Sequence, residues 1–218
     1  RTNMITDERV SAFINSLDRG NTDFLNEIED LCRKTNVPVI RPQMQSLLKM
    51  LLAASRPKKI LEVGTAIGFS ALFMSEYAPK GCMVTTIEKY EKRIPLAKEN
   101  FCKAGKEKGI CLLEGDAAEI LAGLDEEYDF IFMDAAKGQY IHYLPDVLRL
   151  LSDGGVLMSD NVLQDGDVIE SRFAVERRNR TIHGRMREYL YELKHHPKFE
   201  TSILPLGDGV ALSVKKSI

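Results

Sequence analysis

The chain has no tryptophan, only four cysteines in 218 residues, and no apolar run approaching the ~20 residues a membrane-spanning helix requires. Cys32, Cys82, Cys102 and Cys111 lie far apart and form neither a CxxC pair nor a Cys/His cluster. A zinc site and a disulfide framework are therefore not expected, and the four are read as reduced thiols. The N-terminus lacks a signal-peptide pattern, which makes the protein a cytoplasmic one on this reading. The Arg-Thr-Asn lead before Met4 leaves open whether residues 1 to 3 are native. Internal repeats and low-complexity segments are also missing, as are a GxSxG hydrolase elbow, the GxGxxG of dinucleotide sites and the lysine of a triphosphate loop. The histidines, His142, His183, His195 and His196, are read as structural or surface groups.

What is present fits one globular domain over residues 1–218, with 44% hydrophobic and 28% charged residues and a helical cap over about 4–36. The net charge of −2 is uneven. Between Glu170 and Lys198, eight basic residues (Arg172, Arg177, Arg178, Arg180, Arg185, Arg187, Lys194, Lys198) face four acids, a local +4 that leaves −6 for the remainder. Such a segment can attract phosphates, or it can be a solvated helix face with internal ion pairs.

Two amphipathic patterns open the chain, Asp7 to Leu17 and Asn21 to Lys34. In the first, Val10, Phe13, Ile14 and Leu17 recur at helical spacing behind Thr6 as N-cap, and this apolar face is expected to be buried against the main domain or a second subunit. The prolines of Val37 to Pro42 keep that segment extended, and a helix is expected over Met44 to Ala54. Strand patterns follow at Lys59 to Val63, Met83 to Glu88, Ile110 to Glu114, Asp129 to Asp134 and Gly155 to Asp160. Helical ones alternate with them at Phe69 to Tyr77, Glu91 to Lys106, Ala117 to Gly123 and Tyr140 to Leu151. Five βα units of this kind predict an α/β fold with a doubly wound, Rossmann-like, mostly parallel sheet. A long helical stretch from about Val168 to His195 precedes Thr201 to Leu206 and Val210 to Lys215, whose Gly207-Asp208-Gly209 link predicts a hairpin and an antiparallel C-terminal strand.

The ends of these strands carry the chemistry. Open α/β sheets bind ligands beyond the carboxyl ends of their strands. Glu62-Val63-Gly64-Thr65-Ala66-Ile67-Gly68 gives a glycine turn into a helix, Glu88 ends the second strand where an acid can accept ribose hydroxyls, and Asp116 ends the third, in reach of an adenine edge. Alone, each acid reads equally well as a helix N-cap. Together they describe an adenosine site with no pyrophosphate clamp, hence S-adenosylmethionine. Phe130-Ile131-Phe132-Met133-Asp134 and Gly155-Val156-Leu157-Met158-Ser159-Asp160-Asn161 place Asp134, Asp160 and Asn161 at two neighbouring strand ends, with Lys137 beside them. Two carboxylates and an amide oxygen suit a hard octahedral cation such as Mg2+.

ILEVGTAIGFSA, TTIE, GDA, FIFMDAAKGQY and SDNVL resemble the metal-dependent O-methyltransferases of the catechol and caffeoyl-CoA type, and GTAIG, DAAKGQY, DNVL and ILPLGDGVALSVKK are most similar to the bacterial branch that includes the tRNA 5-hydroxyuridine methyltransferase. The resemblance runs from Val37 to Lys216. It implies a cofactor site of Ile40, Glu62, Gly64, Ser70, Glu88, Asp116, Ala117 and Asp134. It also implies a metal held by Asp134, Asp160 and Asn161, with Asp134 and Lys137 as the catalytic pair. The metal would lower the pKa of the acceptor hydroxyl and aim it at the methyl group. Lys137 would take the proton or stabilise the oxyanion.

The acceptor must offer a hydroxyl beside a second oxygen. The basic segment and the resemblance favour 5-hydroxyuridine of a tRNA anticodon, methylated to 5-methoxyuridine, with Tyr140, Phe173 and Tyr189 available for base stacking. A catechol-like or caffeoyl-CoA-like phenol is the alternative acceptor. A non-catalytic adenosine-binding module is a third reading, disfavoured by the presence of Asp134, Lys137, Asp160 and Asn161 together. The N-terminal helices and the resemblance imply a homodimer.

Overall fold

A computed structural model describes residues 8–171 and 173–217. Thr6, the expected cap, and Arg172 lie outside them. Three helices, α1 (Glu8–Ser16), α2 (Asp23–Lys34) and α3 (Pro42–Ser55), precede the alternating units β1 (Lys59–Val63), α4 (Phe69–Tyr77), β2 (Met83–Glu88), α5 (Ile94–Lys103), β3 (Ile110–Glu114), α6 (Ala117–Gly123), β4 (Tyr128–Met133), α7 (Tyr140–Leu150) and β5 (Leu151–Asp160). Helix α8 (Arg180–His195) and the strands β6 (Phe199–Leu204) and β7 (Val210–Lys215) complete a seven-stranded sheet of order β3-β2-β1-β4-β5-β7-β6. Strands β1 to β5 pair in parallel, and β7 runs antiparallel between β5 and β6. The doubly wound sheet and the C-terminal hairpin are as expected.

The strands read as nearly unbroken apolar runs because both faces are covered. Side chains alternate along each strand: Ile60, Phe130, Phe132, Val156 and Met158 join α2 to α5 in one core, while Leu61, Val63, Ile131, Met133 and Leu157 join α6, α7 and α8 in the other. Strand order reverses at β1, which has β2 on one side and β4 on the other. The carboxyl ends of β1 and β4 therefore border the crevice of an open α/β sheet.

Four elements differ from their sequence readings. β5 begins at Leu151, inside the expected end of α7. Ser152-Asp153-Gly154-Gly155, which looks like a turn, is an irregularity in the ladder: Tyr128 pairs with Leu151 and Phe130 with Val156. The helix expected from Val168 starts only at Arg180. Before it come 3-10 turns at Gln164–Ile169 and Arg177–Asn179, because burial at helical spacing begins at His183 and continues through Met186, Leu190 and Leu193. α5 starts three residues late, at Ile94 rather than Glu91. Among the described residues nothing covers the apolar face of α1: Phe13 is 64% and Leu17 67% exposed, whereas Leu25, Ile28 and Cys32 of α2 enter the core. Among the described residues, no helix is long and apolar enough to cross a membrane.

Candidate active site

A cavity of about 510 Å³ opens at the carboxyl ends of β1 to β5, within the size range of small-molecule sites. Ile40, Gly64, Ser70, Glu88, Asp116, Ala117, Asp134, Lys137 and Asn161 all line it. Glu62 and Asp160 are buried just behind the wall.

The glycine turn exists because two strand ends must approach closely. A Cβ on Gly64, whose φ is 108°, would sit 2.2 Å from the Asp134 carbonyl oxygen, so only glycine lets β1 leave the sheet against β4. The turn is held on its other side by Glu88. Its Oε2 accepts the Ala66 N–H at 2.8 Å and its Oε1 accepts those of Lys89 at 3.0 Å and Tyr90 at 2.9 Å, which fixes the carboxylate at the cavity edge. A carboxylate has about four acceptor positions, so Oε2 keeps capacity for a ligand hydroxyl. Asp116 is the N-cap of α6, accepting from Ala118 N–H at 2.9 Å, and it also pairs with Lys89 at 3.3 Å. That backbone N–H first, and then Lys89, lower its pKa. The capping and cavity-lining readings of Asp116 both hold.

Glu62 is fully buried on the α3 and α4 side of β1. Thr86 donates its hydroxyl to Glu62 Oε2, and Thr65 bonds Thr86 at 2.6 Å. Burial pushes the carboxyl up to about 7 against the opposing pull of the Ser70 and Thr86 hydroxyls. Its Oε1 has no hydrogen-bond partner among the described residues. A buried carboxylate oxygen left in this state is costly unless a donor completes it. The methionine ammonium of S-adenosylmethionine is such a donor, so the residues present fit that cofactor.

Asp134 and Asp160 end the adjacent strands β4 and β5, tied together by Tyr140, whose hydroxyl donates toward the backbone oxygens of Met133 at 3.1 Å and Asp160 at 3.2 Å. Burial raises the pKa of both acids. For Asp160, pushed up to about 7, the nearby Asp134 charge adds to that rise, and Lys137 opposes it in both. Two acids disfavoured in their charged forms, with a lysine and an amide alongside, fit a hard divalent cation. Among the described residues no group of three or more His, Cys, Asp or Glu stands at metal-holding spacing. What the two strand ends bring together is two carboxylates, Asp134 and Asp160, and the Asn161 amide. Asn161 adopts φ 56°, and its N–H bonds Asp160 Oδ1 at 2.6 Å. Lys137 begins a 3-10 turn, Lys137–Gln139, that rests on α8: Arg185 donates to the Gly138 carbonyl at 3.1 Å.

Sequence reading missed Asp208, which accepts from Asn161 Nδ2 at 3.1 Å and pairs with Arg41 at 2.9 Å. In sequence it was visible only as the middle of a Gly-Asp-Gly turn. Two further expectations are corrected. Tyr140 and Tyr189 are fully buried, edge-to-face at 5.5 Å, and cannot stack on bases; Phe173 alone of the three is exposed. Much of the basic segment is structural. Arg180, Arg185, Arg187 and Lys194 donate to the carbonyls of Val175, Gly138, Val168 and Thr201, and Arg178 pairs with Glu176 at 2.7 Å. Of the histidines, His183 is buried with Nε2 near the Glu170 carbonyl, and His142 is exposed.

Residues 16–216 match the O-methyltransferase family model. A catechol O-methyltransferase of Niastella koreensis is 32% identical over 169 residues, covering 75% of this chain and 76% of that protein. Caffeoyl-CoA O-methyltransferase 2 of Populus trichocarpa is 30% identical over 204 residues, covering 86% and 80%. The SAH-bound crystal structure of the Podospora anserina methyltransferase PaMTH1 superposes with a TM-score of 0.87 at 29% identity, over 100% of this chain and 98% of that one.

Proposed function

This chain belongs to the O-methyltransferase family and is an S-adenosylmethionine-dependent enzyme, and we propose that its acceptor is a small phenol carrying a second oxygen on the adjacent carbon. Asp134, Asp160 and Asn161 would hold a divalent cation such as Mg2+. The observation that carries this reading is the convergence of Asp134, Lys137 and Asn161 with Gly64, Glu88 and Asp116 around one cavity. The catechol and caffeoyl-CoA enzymes among the relatives support this acceptor class.

Gly64 and Ser70 shape the wall, Glu88 receives ribose hydroxyls, Ile40 and Ala117 pack the adenosine, and Glu62 receives the ammonium. Bound S-adenosylmethionine supplies the methyl group, and a bound divalent ion supplies a Lewis acid that makes a phenol acidic and fixes its approach. Asp134 is shared between the cofactor and cation ends. Lys137 Nζ takes the phenol proton or, when protonated, stabilises the phenolate. The cavity walls would orient the two reactants toward each other.

The same site would accept 5-hydroxyuridine in principle, since its hydroxyl also neighbours a carbonyl oxygen. Four of the basic residues are held as donors to backbone carbonyls, which ties up much of the face that reading relied on. Incubation with a catechol panel and, separately, with hypomodified tRNA, followed by mass spectrometry, tests the choice. Methylated catechols with unmodified tRNA are expected; methylation of tRNA alone would overturn the small-phenol reading. The uncovered face of α1, with Val10, Phe13, Ile14 and Leu17 exposed, supports a homodimer as the assembled form.

A further inference from the structure

Asn161 is the weak member of the donor set, because a primary amide is ambivalent. Its oxygen can ligate a cation and its nitrogen cannot, and the two ends are nearly the same shape. Something must choose between them. Asp208 sits against the nitrogen of that amide, with Oδ2 3.1 Å from Asn161 Nδ2, and a carboxylate only accepts. Its position is fixed by more than this bond. Val162 N–H bonds Gly209 O at 3.0 Å and Leu163 N–H bonds Asp208 O at 2.8 Å, zipping the loop after β5 to the turn before β7. Gly209 has no room for a side chain, since a Cβ there would lie 2.2 Å from Leu163 Cγ. Arg41, from the segment that also supplies Ile40, reaches both Asp208 oxygens, at 2.9 and 3.1 Å, and only 14% of the Asp208 side chain is exposed.

We propose that Asp208 is a positioning residue that holds the Asn161 amide by its nitrogen and thereby turns the amide oxygen toward the cation site shared with Asp134 and Asp160. The inference rests on the metal reading given above. It assigns to the Gly207-Asp208-Gly209 turn a role beyond joining two strands. The Asn161 backbone, at φ 56° and bonded to Asp160 Oδ1, sets where the side chain starts. Asp208 sets which end of it faces inward.

The test is Mn2+ binding to the protein alone, followed by electron paramagnetic resonance, with no turnover involved. Asp208→Ala is expected to weaken binding about tenfold, the loss typical when a group orienting a metal ligand is removed. In an Asn161→Asp background, both ends of the side chain are oxygens and one lies against the Asp208 carboxylate. There the same Asp208→Ala change is expected to tighten binding, by relieving like-charge repulsion. This reversal of sign distinguishes orientation from general support of the turn. Asp208→Asn, which can keep the turn's shape while accepting or donating, is expected to give a smaller loss, and thermal melting of each variant establishes that it is folded. Equal weakening by Asp208→Ala in both backgrounds, or no change in either, would overturn the role of Asp208. If the unmodified protein shows no saturable Mn2+ site sensitive to Asp134→Asn, the metal reading itself fails, and the inference fails with it.

Discussion

Glu62 combines burial in the fold with a proposed contact to the cofactor. It lies in the middle of the sheet's most buried region, and its carboxyl is pushed from 4.5 to about 7, chiefly by burial. A carboxyl with a raised folded pKa binds a proton in the folded state between those values while the unfolded chain does not. Its contribution to stability is therefore present at low pH and is lost as pH rises through about 7. Asp160, pushed up to about 7 as well, adds a slope of the same sign. The ligand-free protein is thus expected to melt at a higher temperature at pH 5.5 than at pH 8, and Glu62→Gln should flatten that dependence. The same substitution should weaken S-adenosylmethionine binding about tenfold or more at pH 8, the worth of a charge-assisted hydrogen bond. Calorimetric titration at both pH values checks it, and unchanged affinity would remove Glu62 from the cofactor site. At this scale the sequence named most of the polar residues that the fold gathers around the cavity. Acids at strand ends and a glycine turn announce themselves, because they stand where a mostly apolar strand run stops. Asp208 did not, because its partner Asn161 is 47 residues away and only the antiparallel insertion of β7 beside β5 brings them together. Tyr140 and Tyr189 were misread because an aromatic on a helix looks the same whether it faces a nucleic acid or a core.

Helix α8 is the element whose meaning changed most. Its arginines suggested a phosphate-binding face, yet the folded chain uses Arg185 to hold the turn that starts at Lys137 and Arg187 to hold the 3-10 segment through Val168 O. Arginine supplies several donors in a fixed fork, which makes it an effective clamp for backbone carbonyls that have no helical or strand partner. Composition cannot distinguish this use from a nucleic-acid face; only the position of each guanidinium can. Charge reversal at the exposed pair, Arg177→Glu with Arg178→Glu, is accordingly expected to change catechol turnover and cofactor affinity less than twofold, as for surface substitutions in general. Arg185→Ala, by loosening the Lys137 turn, is expected to lower kcat about tenfold or more while leaving cofactor affinity intact. Steady-state kinetics beside calorimetry distinguishes the two outcomes, and equal losses for both variants would contradict this division of roles. The late start of α8 and the early start of β5 share a cause. Short polar and glycine-containing stretches form 3-10 turns and bulges as readily as helix or loop, and tertiary pairing decides between them.

At the scale of the molecule, the five alternating units dictate the doubly wound sheet, and the reversal of strand order at β1 dictates where the cavity opens. The sheet could be drawn from the sequence alone because most of its strands contain a short apolar run and the parallel ones end at a glycine or an acid. The covering of α1 could not, since an amphipathic helix shows that it needs a partner and not which one. With Phe13 and Leu17 exposed in the single chain, sedimentation equilibrium is expected to give twice the 24.6 kDa chain mass, and Phe13→Asp with Leu17→Asp to give the chain mass. A chain mass for both would contradict the dimer. The central claim is that a divalent cation held by Asp134, Asp160 and Asn161 activates a small phenol for methyl transfer. It is tested most directly by the rate of methylated product formed from S-adenosylmethionine and a catechol before EDTA, after EDTA, and after Mg2+ is restored. Turnover should fall by two or more orders of magnitude on chelation and return with the metal. Equal turnover throughout would contradict the claim.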